Sequence, residues 1–150
     1  MDRIGQIYEL VLKIRKVTET HSKYMAVERD YFKGEHLFMR EAHMIVEIGE
    51  LQQPTMSELA QKMEVTPGAI SQLAVRMEKK GFIQRIPDTE DKRKSFVILT
   101  EKGKEFYKLH KAFDEEQYRK ADKLLSEYTQ EQLEEFIRFE EKVNQIFQQY

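Results

Sequence analysis

Four consecutive residues, Asp91-Lys92-Arg93-Lys94, put three cations behind one carboxylate in a stretch with no apolar side chain. A guanidinium so placed can make charge-assisted hydrogen bonds to an anion, and Asp91, two residues before Arg93, can hold it extended. Upstream, Thr66-Pro67-Gly68-Ala69 is followed by Ser71, Gln72 and Arg76. Glutamine and arginine carry the paired donors and acceptors that match the edges of adenine and guanine, and small Gly68 and Ala69 permit close approach. A third set is His43 on one helical segment, with Glu41 and Glu47 near it, and His110 and Asp114 at i and i+4 on another. Nitrogen and oxygen donors at that spacing could hold zinc or another divalent ion. They could equally bond each other or a carboxylate where two helices meet.

Other chemistries lack their residues. The chain has no cysteine, so thiolate ligation and thiol redox are excluded. It shows no nucleophile–base constellation, no phosphate-cradling glycine loop and no paired-histidine zinc-protease motif, and His21, His36, His43 and His110 are scattered. A non-enzymatic role is the expectation. No apolar run approaches the roughly 20 residues a bilayer requires, and a cytoplasmic protein without a membrane partner is expected.

The formal net charge of −2 hides an uneven distribution. Residues 66–104 hold nine basic and five acidic residues, a net of +4, which leaves −6 for the rest. Screening over about 8 Å at physiological salt makes the local excess the relevant quantity for a polyanion.

The elements that must position these groups are legible from caps and periodicity. Ile4, Ile7, Tyr8, Val11 and Ile14 mark one face of a helix expected from Met1 to about Tyr31, and Phe38, Ala42, Ile45 and Val46 mark a second over 38–50. Thr55-Met-Ser-Glu58 is a capping box, and Leu59, Ala60 and Met63 give that short helix its inner stripe. Thr66 caps another helix with Pro67 at its first position, Ile70, Leu73, Ala74 and Met77 inward, and Gly81 at its end. Residues 82–86 and 95–99 are β-favouring runs around a polar, turn-prone segment, 87–94. Thr100 opens a long helix to about Leu125, and Thr129-Gln-Glu-Gln132 opens a last one.

Helix, turn, helix and charged hairpin, in that order, describe a winged helix-turn-helix. The run SELAQKMEVTPGAISQLAVRMEKKGFIQR, then Asp91-x-Arg93 and Leu99-Thr100-x-x-Gly103, resembles the MarR family of transcription regulators. The likeness is close over roughly 38–103. It implies a mostly α (α+β) fold, with a winged DNA-binding domain over 36–103 and N- and C-terminal dimerisation helices over 1–35 and 104–150. It implies a homodimer on a pseudo-palindromic operator in double-stranded DNA, acting as a repressor. The helix from Thr66 would read the major groove, with Thr66, Pro67, Gly68, Ala69, Ser71, Gln72 and Arg76 at the contact. Arg93, with Asp91, Lys92 and Lys94, would serve the minor groove. The amphipathic terminal helices agree, because their apolar faces exceed what one small domain can cover.

The resemblance also implies a small-molecule effector, aromatic or lipophilic, held between the dimer helices and the winged domain. Tyr8, Met25, Tyr31, Phe32, Phe38, Met39 and Met44 are the side chains that could line such a cleft, or form ordinary core. In the zinc-responsive branch of the family, histidines at positions similar to His43 and His110 bind metal, but Asp114 stands here in place of a further histidine. The segments 40–49 and 107–113 also look similar to the branch that controls fatty-acid synthesis genes, which would make the effector a fatty acyl chain. A winged-helix module that binds protein and not DNA is the remaining alternative. Replacing Arg93 with Ala is expected to weaken binding to duplex DNA and to reduce the slope of log K against log salt by about one. Anisotropy titrations at several salt concentrations measure it, and an unchanged slope removes Arg93 from the contact.

Overall fold

The structure, a computed structural model, describes residues 2–91 and 94–148. It divides into two compact units, Met1–Lys111 and Ala112–Tyr150. The boundary falls within one helix, seven residues beyond the sequence-based start of the C-terminal helical region at 104. The winged domain lies wholly in the first unit.

Helix α1 (Arg3–Met25) is capped by Asp2, whose carboxylate accepts from the Gly5 N–H at 2.8 Å. It ends six residues before the expected limit near Tyr31. The residues that follow form a two-stranded hairpin, β1 (Arg29–Phe32) and β2 (Glu35–Leu37), which the sequence reading missed. Lys33 and Gly34 turn it with φ of 51° and 80°. Two successive positive φ values match the twist of the strands, and glycine takes the second without steric cost.

Helix α2 (Met39–Leu51) starts from Phe38, whose backbone N–H donates to the Glu41 carboxylate at 3.1 Å. Helices α3 (Met56–Lys62) and α4 (Pro67–Lys79) follow with the expected caps. The Thr55 hydroxyl accepts from the Glu58 N–H while Glu58 accepts from the Thr55 N–H, and the Thr66 hydroxyl accepts from the Ala69 N–H. Glu64, at φ 53°, makes the turn between them. Strands β3 (Ile83–Pro87) and β4 (Ser95–Leu99) pair antiparallel in register. A bridge from Thr55 to Phe96 and a bond from the Val97 N–H to the Pro54 carbonyl, 2.8 Å, tie the hairpin to the entry of α3.

The core of this unit joins Leu37, Met44, Ile45, Ile48, Leu59, Ile70, Leu73, Met77, Phe82, Val97 and Phe106. The inward faces expected for α3 and α4 are buried, apart from Met63, which is only partly covered. Phe38, expected on the inner face of α2, sits at its cap and is exposed.

Helix α5 (Glu101–Leu124) begins hard against the base of the wing. The Thr100 hydroxyl donates to the Gly81 carbonyl at 2.6 Å and accepts from the Gly103 N–H at 3.1 Å. A Cβ on Gly103 would meet the Phe82 carbonyl oxygen at 2.1 Å, so only glycine lets the first turn of α5 approach this closely. A second link braces the wing to α4. Glu78 accepts from the Arg85 backbone N–H at 2.9 Å and from its Nε at 2.8 Å, which holds the Glu78 carboxyl below the usual carboxylate range.

In the second unit α5 continues to Leu124, a turn carries the chain to Thr129, and α6 (Gln130–Phe147) follows. The Thr129 hydroxyl accepts from the Gln132 N–H while Gln132 returns the bond to the Thr129 N–H. Tyr128 packs edge-on to Phe136 at 5.5 Å.

Gly103→Ala is expected to lower stability by about 2 kcal/mol or more, because backbone must move to admit the methyl. Gly68→Ala, with nothing within 4 Å of the added carbon, should change stability by less than about 1 kcal/mol. Urea unfolding of the two variants compares them directly. Glu78 also predicts a pH dependence. Its folded pKa lies below its unfolded value, so its bond to Arg85 contributes stability above the unfolded value and loses it as pH falls through the folded one. Thermal midpoints between pH 6 and 3 should therefore fall less steeply for Glu78→Gln than for the native protein. Parallel curves would show that the brace contributes nothing.

Candidate nucleic-acid interface

The candidate interface is built on α4. Pro67 sets the helical φ at the first position and the Thr66 hydroxyl closes the cap, so the helix begins sharply and its first turn faces outward. Ile70, Leu73, Ala74 and Met77 are buried. Pro67, Gly68, Ala69, Ser71, Gln72 and Arg76 are all exposed, as the sequence pattern requires of a contacting face. The Ser71 hydroxyl donates to the Pro67 carbonyl at 2.8 Å, which spends its proton within the helix and leaves its lone pairs outward.

Arg76 has a structural partner. Its Nε lies 3.4 Å from Oε1 of Glu41, a carboxylate only 1% exposed. Lys80 reaches Oε2 of the same group at 2.9 Å and donates to the His36 carbonyl at 2.8 Å. Glu41 thus joins the start of α2, the second strand of the first hairpin and the end of α4. In the sequence Glu41 stands near His43 as a potential ligand, and Lys80 is one of the nine basic residues of 66–104. The pair is separated by 39 residues, so no local spacing could have revealed it. Lys102 is likewise paired with Glu35 and lies over the Phe82 ring at 4.4 Å.

In the hairpin loop, the Asp88 N–H donates to the Lys94 carbonyl at 3.0 Å and the Lys94 N–H to the Asp91 carbonyl at 2.8 Å. Asp88 also accepts from the Glu90 and Asp91 N–H groups. The loop is therefore held at its neck by its own backbone. Asp91 has the exposed ammonium of Lys94 3.9 Å away. Lys92 and Arg93, the other two expected contacts, lie outside the described residues.

The histidines come near each other without forming a ligand set. The His43 and His110 rings stand 6.3 Å apart, with His43 exposed on α2. His110 is buried, stacked on Phe106 at 5.5 Å and edge-on to Tyr31 at 5.6 Å. Asp114 lies one turn further along α5, in the second unit. Among the described residues no group of three or more His, Cys, Asp or Glu side chains is placed to hold a metal ion.

The seven expected cleft residues separate in the same way. Phe32, Met39 and Met44 are core side chains, and Phe32 also borders an open hollow with Lys33, Glu35 and Lys102. Tyr31 is partly buried against the same core, and Tyr8 is exposed on α1. Met25 and Phe38 do meet, at an open hollow of about 450 Å³ with His21, Arg40, Glu41 and Arg76.

Among the described residues no helix is long and apolar enough to cross a membrane. A model of the MarR family matches residues 37–95. YhjH of Bacillus subtilis, an uncharacterized HTH-type transcriptional regulator, is 25% identical over 97 residues, which is 65% of this chain and 55% of that protein. The chain spans about half the length of the curated relatives it matches. Among solved structures, the zinc-responsive MarR family member ZitR of Lactococcus lactis superposes with a TM-score of 0.71 at 18% identity, over 97% of this chain and 99% of that one. FabT of Streptococcus pneumoniae, in complex with DNA, gives 0.66 at 21%, over 97% and 98%. The matched segment contains both capped helices and the first strand of the wing hairpin, and the fold around it is the one these structures share: residues 37–95 carry a MarR family domain.

Proposed function

We propose that the chain is a transcription regulator that binds double-stranded DNA as a homodimer on a pseudo-palindromic operator. Helix α4 enters the major groove and the 87–94 loop follows the adjacent minor groove. The observation that carries this reading is the outer face of α4. It is exposed, free of carboxylates from Pro67 to Met77, and begins at a tight cap. A protein lying across both grooves of a promoter blocks other proteins from it, so repression is the expected sign.

Homodimerisation is supported by the terminal helices. Helix α1 buries no residue in 23, and Ile4 and Tyr8 are 71% and 66% exposed. Helix α6 leaves Phe136, Ile137, Ile146 and Phe147 exposed. Apolar faces of this extent mark surfaces that a partner covers. A second copy also places two recognition helices about one DNA turn apart. The segments 1–35 and 104–150 are thus the proposed dimerisation region.

The effector is proposed as a small lipophilic or aromatic anion at the hollow beside α1. Met25 and Phe38 offer apolar contact and Arg40 a cation. Such a ligand acts only through different affinity for DNA-competent and incompetent arrangements. The histidines give a metal effector no support here. A non-enzymatic, cytoplasmic role follows from the same reading.

Native mass spectrometry tests it. A species at twice the 18.0 kDa chain mass is expected at micromolar concentration, with any retained small molecule visible as added mass. A gel shift with the DNA upstream of the chain's own gene is expected alongside. A strictly monomeric particle that leaves that DNA unshifted overturns the reading.

A further inference from the structure

We propose that Val75 is a specificity-determining residue that reads a thymine methyl group, and that with Gln72 it gives the recognition helix a preference for A·T pairs. This rests on the DNA-binding reading of α4. Val75 is 52% exposed in the middle of a helix whose inward residues, Ile70, Leu73, Ala74 and Met77, are at most 2% exposed. A β-branched residue on a solvent-facing helix position is disfavoured by lost χ1 freedom, so neither helix propensity nor the core accounts for it. Gln72 precedes Val75 by three positions and Ser71 by four, which places all three on one face. The turn before them carries only Gly68 and Ala69.

In the major groove a thymine differs from a cytosine by its C5-methyl and its O4 acceptor. An isopropyl group on a close-approaching helix face is suited to the methyl and offers nothing to a cytosine amino group. Gln72 supplies the paired donor and acceptor that match adenine N7 and N6. The residue that would favour guanine is Arg76, and its guanidinium is drawn toward the buried Glu41 carboxylate, 3.4 Å away. The face of α4 centred on Val75 and Gln72 therefore carries the groups that match an A·T pair.

The test starts from a random-sequence duplex library, from which the full-length protein selects its sites. The enriched half-sites are expected to contain thymine. Each thymine of the best duplex is then replaced singly by deoxyuridine, which removes one methyl and leaves pairing intact. For the native protein one such position per half-site should weaken binding roughly fourfold, the value of one buried methyl. For Val75→Ala, which keeps the helix and the fold, the same replacement should have no effect at that position. A native protein indifferent to every deoxyuridine, or a Val75→Ala variant with the undiminished penalty, overturns the proposal while leaving DNA binding intact. Failure to retain any duplex overturns the DNA-binding reading and this inference with it.

Discussion

A carboxylate shut away from water has to be met by positive charge, and in this protein the demand is made by Glu41. Breaking a buried ion pair from one side costs about 3–5 kcal/mol, because the surviving charge is left without water or partner. Here the partners are Arg76 and Lys80, one turn apart on α4 and at its C-cap, while the Glu41 backbone belongs to α2. Lys80 also binds the His36 carbonyl in β2 and stands 3.8 Å from Glu28. The orientation of α4 is thus fixed by a charge that it does not itself carry. The apolar contacts of Ile70, Leu73 and Met77 hold α4 against the core, but such contacts tolerate small rotations that a hydrogen-bonded Lys80 and an ion-paired Arg76 oppose.

The same logic extends to the wing. Glu78 on α4 grips both the backbone and the guanidinium of Arg85 on β3, and the Val97 N–H is bonded to Pro54 ahead of α3. Helix and hairpin are therefore linked through polar contacts of defined direction. A two-part reader of DNA needs its parts at a fixed separation, since an error in either misplaces contacts in both grooves. The loop itself is closed at its neck by backbone bonds between Asp88, Asp91 and Lys94, so its root is set independently of its tip.

What could be read in advance was whatever rests on neighbours in the chain. Thr55 with Glu58, Thr66 with Pro67, Thr100 with Gly103 and Thr129 with Gln132 each announce a helix start within four residues, and each is found there. The β1–β2 hairpin escaped because strands of four and three residues are too short for an alternating pattern to register. Its one signal was the Lys33-Gly34 turn. The Glu41 contacts escaped for a different reason: they join residues far apart in the chain, and nothing in the type of either residue names its partner. For the cleft residues the sequence left both roles open, since a methionine or phenylalanine at helical spacing looks the same whether it faces a ligand or the core.

The missing side chain at Gly103 has a mechanical meaning. Where a helix touches the carbonyl just ahead of a strand across a gap too narrow for one methyl group, side chains cannot act as bearings between the two. The first turn of α5 and the root of the wing at Phe82 are in effect a riveted joint. A tilt imposed on the near end of α5 reaches β3 as displacement and is not absorbed as slip.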